Sequence, residues 1–196
     1  MTRPFILGLT GSVGMGKSTV ARMFEDLGIP VFDADAVVHR LQGPGGSLVE
    51  AIEAAFPGST GPQGVDRRAL GQAVFDNPQA LIQLEGIVHP AVRAARGQFL
   101  MDHADAKMIV FDIPLLFEKG GAQEVDAVLV VSASPEAQRT RVLARPGMTA
   151  ERFAGILARQ LPDAEKRARA DYVIDTGRPL AETRAEVARL VEKLAY

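Results

Sequence analysis

The chain has 196 residues, of which 47% are hydrophobic and 23% charged, with 22 Lys+Arg against 24 Asp+Glu and no cysteine. That composition excludes wholesale disorder and suits one globular domain with a real core, leaving room for a small lid segment. A formal charge of −2 disfavours non-specific binding to nucleic acid, and the lack of cysteine excludes disulfides, thiol catalysis and thiolate metal sites. His39, His89 and His103 are too dispersed to suggest a zinc site. The longest apolar runs, such as Ala127 to Val131, are too short to cross a bilayer. The stretch Phe5-Ile-Leu-Gly-Leu9 is no signal peptide, because it runs straight into a glycine-rich motif that cleavage would destroy. A cytoplasmic monomer with no membrane or nucleic-acid partner is expected.

In chain order, Phe5 to Thr10 reads as a buried strand, followed by a Gly-rich turn and a helix with Val20, Met23, Phe24 and Leu27 on one face and Gly28 as its stop. Pro30-Val31-Phe32 is a second short strand closing on Asp33-Ala34-Asp35. Leu48, Val49, Ile52 and Phe56 mark a helix, and Pro57 to Gly64 is a loop by composition. Asn77-Pro78 supplies an N-cap and a first-turn proline, opening a stripe of Leu81, Leu84 and Val88 that stops at His89-Pro90, between two helices. Met108 to Asp112 and Asp126 to Val131 are further strands, the second aliphatic enough to be covered on both faces. Ser134-Pro135 and Thr149 each open a helix, the latter carrying Phe153, Ile156, Leu157 and Leu161. Tyr172 to Ile174 is a last strand before a terminal helix with Val187, Leu190, Val191 and Leu194 on one side. This alternation predicts an α/β fold with a mostly parallel, helix-flanked sheet.

The chemistry begins at Gly11-Ser12-Val13-Gly14-Met15-Gly16-Lys17-Ser18, which fits G-x-x-x-x-G-K-[ST] between a strand and a helix. The glycines let successive N–H groups converge on phosphate oxygens, the following helix turns its positive end to the same place, and residues 11–18 with Thr19 are expected at the nucleotide. Lys17 is expected at the β- and γ-phosphates and the Ser18 hydroxyl on Mg²⁺, so the motif implies a nucleoside triphosphate with magnesium. A guanine-reading Asn-Lys-x-Asp is missing, and Asp112 is followed by Ile113-Pro114 rather than a water-activating glutamate. Transfer to an organic acceptor is therefore favoured over hydrolysis. Asp112 is a candidate outer partner of the magnesium.

Asp33 and Asp35, two apart on chain read as extended, are expected to share a face at the rim where open α/β sheets bind ligands. Phosphoryl transfer to an alcohol needs a carboxylate to orient the hydroxyl and take its proton. Asp35 either does this or caps a short helix from Ala36 to Leu41, while Asp33 assists the metal or holds Asp35. Arg139, Arg141, Arg145, Arg152, Arg159, Arg167 and Arg169 crowd the stretch around Pro146-Gly147. Arg141 and Arg145, one helical turn apart, are the pair expected to face the nucleotide, and the others read as surface. His89 is more often a cap or a packed residue than a catalyst at such a position, with a substrate contact as the alternative. Leu115, Phe117 and Glu118, in Pro114-Leu-Leu-Phe-Glu118, either line an acceptor pocket or turn the chain.

Together, Gly8-Leu-Thr-Gly-Ser-Val-Gly-Met-Gly-Lys-Ser-Thr19, Asp33-Ala34-Asp35, His89-Pro90, Pro114-Leu-Leu-Phe-Glu118, Gln138-x-x-Arg141-x-x-x-Arg145, Gln160, Lys166, Ala170-Asp171 and Val173-Ile174-Asp175 resemble the dephospho-coenzyme A kinases in order and spacing across nearly the whole chain. The resemblance implies transfer of the ATP γ-phosphate to the 3′-hydroxyl of dephospho-CoA, the last step of coenzyme A synthesis. It implies that Asp35 matches the family's proposed base and Arg141 an arginine at the phosphates. It further implies a P-loop kinase core over residues 1–196, with a helical acceptor-binding region at about 41–101 and a lid at about 145–163. Val13 and Met15 stand where Ile and Ser are commoner, Pro146 where Asp or Asn is more usual, and Thr176 where Asn often follows the last aspartate. Two other readings stay open: a P-loop kinase for a nucleoside or nucleotide acceptor, and a nucleotide-binding regulatory module.

Overall fold

The protein is described from a computed structural model, in which residues 3–195 are placed. Strand β1 (Phe5–Thr10) is buried along almost its whole length. Helix α1 (Lys17–Asp26) buries Val20, Met23 and Phe24, and Gly28 ends it at φ 76°, as its sequence predicts. Leu27, expected on the packed face, is 41% exposed, because the helix has already stopped one residue before it. Strand β2 (Val31–Asp33) passes directly into α2 (Ala34–Gln42), followed by α3 (Val49–Ala55). The stretch read as loop holds a hairpin of two-residue strands, β3 (Thr60–Gly61) and β4 (Gly64–Val65), too short to show any alternation in sequence. Then come α4 (Arg67–Val74) and the 25-residue α5 (Pro78–Asp102).

Helix α5 starts as expected, with the Ala80 N–H donating to Asn77 Oδ1 at 3.1 Å, but it does not break at His89-Pro90. An internal proline costs a helix about 3 kcal/mol. Leu84, Ile87, Val88 and Ala91 form one packed stripe across that point, and the stripe outweighs the lost backbone bond. Beyond α5 come β5 (Met108–Asp112), a 3-10 turn (Gly121–Glu124), β6 (Ala127–Ser132), α6 (Pro135–Leu143), α7 (Ala150–Leu157), α8 (Asp163–Ala168), β7 (Tyr172–Asp175) and α9 (Leu180–Ala195). Ser134 and Thr149 cap α6 and α7 through their hydroxyls, at 3.2 Å each. Leu161 was expected on α7 but lies outside it: the helix closes at Leu157, and Pro162 disfavours helical backbone in the residue before it.

The chain divides into two compact units. One contains the described residues through Phe32 and from His103 onward; the other spans Asp33–Asp102. In the first, the strand order is β2-β5-β1-β6-β7, with β1 parallel to β5 and β6, and β6 parallel to β7. All six residues of β6 are buried, so both faces of the sheet are covered there. Leu7, Leu9, Leu129 and Val131 meet Val20 and Phe24 of α1 and Val187 and Leu190 of α9 on one face. Val128 and Val130 meet Leu116 on the other. The register Leu9↔Asp112 and Ser132↔Asp175 brings the carboxyl ends of these strands to one rim, where the loops after β1, β5, β6 and β7 emerge.

In the second unit, Leu48, Ile52, Phe56, Leu70 and Ala80 form a small core from α3, α4 and α5. Among the described residues, no helix is long and apolar enough to cross a membrane.

Candidate functional site

The turn after β1 curls because two of its glycines sit in the left-handed region, Gly14 at φ 79° and Gly16 at φ 83°. Only glycine takes that backbone without strain. Contact closes off the same positions: a Cβ on Gly14 would come within 2.4 Å of Val142 Cγ2, and one on Gly16 within 3.1 Å of Thr176 Oγ1. Met15, expected only as a loop residue, is a packing anchor. It is 2% exposed, and its Sδ accepts from the Ala133 N–H at 3.2 Å while its carbonyl accepts from Thr176 Oγ1 at 2.8 Å. Ser18 and Thr19 open α1 with exposed hydroxyls. The loop therefore has its backbone N–H groups and the α1 N-terminus in the arrangement that suits a polyphosphate.

Lys17 Nζ pairs with Asp112 Oδ1 at the end of β5, a carboxylate only 3% exposed. The register of β5 on β1 makes this pair possible, since Asp112 lies opposite Leu9, the penultimate residue of β1. Arg141, on the last turn of α6, donates from Nη2 to the Thr176 carbonyl at 2.6 Å and from Nη1 to Thr176 Oγ1 at 3.1 Å. Thr176 is thus the hub between the loop, Arg141 and β7, a role the sequence offered no signal for. Arg145 does not share the helix with Arg141, because α6 ends at Leu143, and it is exposed. Pairing the two arginines by helical spacing therefore fails.

Phe117 packs beside Leu116 and Val128, and Leu115 is half-buried. Glu118 Oε1 accepts from the Leu161 N–H at 2.9 Å and lies 2.8 Å from Nζ of the fully buried Lys166. Loss of hydration pushes the Glu118 carboxyl up, but the hydrogen bonds from Lys166 and Leu161 together outweigh it and hold the group below its ordinary range. Among the described residues, no group of three or more His, Cys, Asp or Glu side chains is placed to hold a metal alone. A hard cation arriving with a triphosphate fits the oxygen donors present, the Ser18 hydroxyl and the Asp112 carboxylate.

In the Asp33–Asp102 unit, the two aspartates do not share an extended face. Asp33 is the last residue of β2 and caps α2, its Oδ1 accepting from the Ala36 N–H at 2.9 Å, whereas Asp35 already stands in the first helical turn. The capping expected of Asp35 is done by Asp33. The Asp35 carboxylate is exposed and, among the described residues, has no hydrogen bond or ion pair. Both line a cavity of about 570 Å³ with His39 and Gln42 from α2, Arg67 and Leu70 from α4, and Leu84 from α5. The walls are mainly apolar, with two carboxylates, an imidazole, a carboxamide and a guanidinium as polar groups, a make-up typical of small-molecule sites. Arg67 and His39 were missed in the sequence. The available signal was Asp66, whose Oδ1 accepts from the Arg68 and Ala69 N–H groups and starts α4 with Arg67 in its first turn. His89 is exposed in the middle of α5, neither cap nor packed, and does not line this cavity.

A family model described as dephospho-CoA kinase matches residues 5–182. The chain is 64% identical over 194 residues to the dephospho-CoA kinase of Novosphingobium aromaticivorans, covering 99% of this chain and 96% of that protein. Among solved structures it is similar to TT1252 from Thermus thermophilus, with 37% identity, a TM-score of 0.85 and coverage of 97% and 98% of the two chains. The dephospho-CoA kinase from Campylobacter jejuni shares the fold at 24% identity and a TM-score of 0.67, with 96% of each chain covered.

Proposed function

This chain belongs to the dephospho-CoA kinase family, and from that premise we propose how its residues divide the transfer of the ATP γ-phosphate to the 3′-hydroxyl of dephospho-CoA, giving CoA and ADP. The phosphate loop, residues 11–18, binds the polyphosphate through N–H groups other than that of Val13, which Gln160 takes, and through the α1 N-terminus. Lys17 turns from Asp112 to the β- and γ-phosphates, and Asp112 keeps the ammonium oriented. Arg141, held by Thr176, adds positive charge near the nucleotide. Mg²⁺, when bound with ATP, supplies charge neutralisation across the phosphate oxygens, and Ser18 would hold it.

The acceptor belongs to the 33–102 unit, in the cavity beside Asp35. Asp35 orients the hydroxyl and takes its proton as the oxygen bonds to the γ-phosphorus. The bond from that phosphorus to the β,γ-bridging oxygen breaks, and ADP leaves with the electron pair. The observation that carries this assignment is the contrast between the two carboxylates: Asp33 is committed to the Ala36 N–H, and Asp35 is left uncommitted in a cavity wall. A coupled ADP-release assay with ATP–Mg²⁺ tests it, with product mass read alongside. ADP release that depends on dephospho-CoA, with phosphorylated product, is expected. Equal release with and without dephospho-CoA would overturn the reading.

A further inference from the structure

Val13, the third residue of the phosphate loop, has both of its backbone groups taken by glutamine side chains. Its N–H donates to Gln160 Oε1 at 3.1 Å, and its carbonyl accepts from Gln138 Nε2 at 2.7 Å. The two glutamines come from opposite ends of the arginine-bearing stretch. Gln138 is 7% exposed in the body of α6, and Gln160 lies between α7 and α8. Most residues from 144 to 159 are exposed, Arg145, Arg152 and Arg159 among them.

Both ends are anchored independently of Val13. At the first, Gly14 lies flush against α6, its absent Cβ leaving room for Val142 and the Gln138 carbonyl. At the second, the Leu161 N–H donates to Glu118 at 2.9 Å, and the Ser132 hydroxyl at the end of β6 donates to Asp163 Oδ2 at 2.8 Å. The two ends of the excursion are thus tied to one residue of the loop tip, through the peptide groups on either side of its Cα.

We propose that Gln138 and Gln160 are positioning residues, which set the loop tip and the arginine-bearing segment in one register for the transfer step. This rests on the phosphoryl-transfer reading above. Lys17 and Ser18 belong to α1, which the core holds through Val20 and Phe24, so nucleotide binding keeps most of its support without the glutamines. Val13 lies outside α1, and its own N–H and carbonyl are met by the two glutamines. Misplacement there falls on the rate of transfer, which is steeply sensitive to geometry. A single neutral hydrogen bond of ordinary net strength corresponds to about tenfold in rate.

The two bonds run in opposite directions, and this separates positioning from packing. Gln160 serves as acceptor, so a carboxylate can replace it; Gln138 serves as donor, so a carboxylate there faces the Val13 carbonyl with a second acceptor. Single-turnover transfer should be measured on the full chain with saturating ATP–Mg²⁺ and dephospho-CoA, together with ATP affinity and Tm. Gln160→Met is expected to slow transfer about tenfold with ATP affinity changed less than about threefold. Gln160→Glu should recover most of the rate, and Gln138→Glu should be slower than Gln138→Met. The double methionine variant should lose less than the product of the two single losses, since both act on one residue. Wild-type transfer rates in Gln160→Met, or a loss that tracks Tm with glutamate no better than methionine at 160, would overturn the proposal. A wild-type enzyme with no dephospho-CoA-dependent turnover would instead remove the reading on which it rests.

Discussion

Lys17 and Asp35 are both central to the proposed reaction, yet the regions that present them are built by different means. The phosphate loop is eight consecutive residues whose proposed ligand groups are mostly backbone N–H, enclosed by Val142, Thr176 and Ala133 and continuous with β1, whose neighbours β5 and β6 are wholly buried. The Asp35 cavity is assembled from side chains of α2, α4 and α5, on a small core of Leu48, Ile52, Phe56, Leu70 and Ala80. One site is preorganised by chain geometry, and the other depends on short helices keeping their packing. Damage should therefore act mainly through chemistry in the first region and through stability as well as chemistry in the second.

The largest effect is expected from Asp35→Ala, which removes the proposed proton acceptor and should lower kcat by about 10²–10⁴ while ATP affinity is retained. Undiminished turnover would take Asp35 out of the mechanism. Lys17→Ala should cost about 10²–10³ in kcat, with weaker ATP binding visible by calorimetry. If Lys17→Ala weakened only the acceptor's KM, the assignment of donor and acceptor to separate regions would be wrong.

Ile52→Ala sharpens the contrast from the packing side. Ile52 is fully buried in the small core, so truncation should destabilise the protein by about 2–5 kcal/mol in urea unfolding. Dephospho-CoA's KM should rise before ATP affinity falls. A parallel loss of both would mean that the two regions are not energetically separable.

The smallest effect concerns pH. Glu118 is held more acidic in the folded protein than its ordinary 4.5, through Lys166 and Leu161. Its stabilisation is therefore complete above about pH 4.5 and fades as pH drops through the folded-state value. Asp126 behaves likewise, lowered chiefly by Arg3. Tm followed from pH 7 to 3 for wild type and Glu118→Gln should show a gap that narrows on acidification. A constant gap would mean that the Glu118 charge contributes nothing to stability.

How much could be read beforehand also differs between the regions. Around the phosphate loop, motif spacing, uniform aliphatic strands and the Ser134 and Thr149 caps are local signals, and the elements they predict are present. Around Asp35, local signals conflicted. The extended reading of Asp33-Ala34-Asp35 lost to helix α2, which starts one residue after the strand reaches its capping aspartate. The proline at 90 suggested two helices, but the packed stripe from Leu84 to Ala91 kept one. Asp66 marks where the helix bearing Arg67 starts, but what makes Arg67 part of a site lies in neighbours from α2 and α5.

The linear order of residues by itself determined a nucleotide-phosphate cradle, a mostly parallel sheet and the family. The cradle and the sheet rest on the short-range periodicity and backbone chemistry of neighbouring residues, and the family on the resemblance of motifs spread along the chain, which the family model bears out. Only the tertiary structure decided which carboxylate of Asp33 and Asp35 stays uncommitted, that Thr176 rather than Arg145 accompanies Arg141, and that Val13 is gripped by glutamines 22 positions apart (138 and 160). Those outcomes hang on contacts between elements distant in the chain, whose energies no local pattern records.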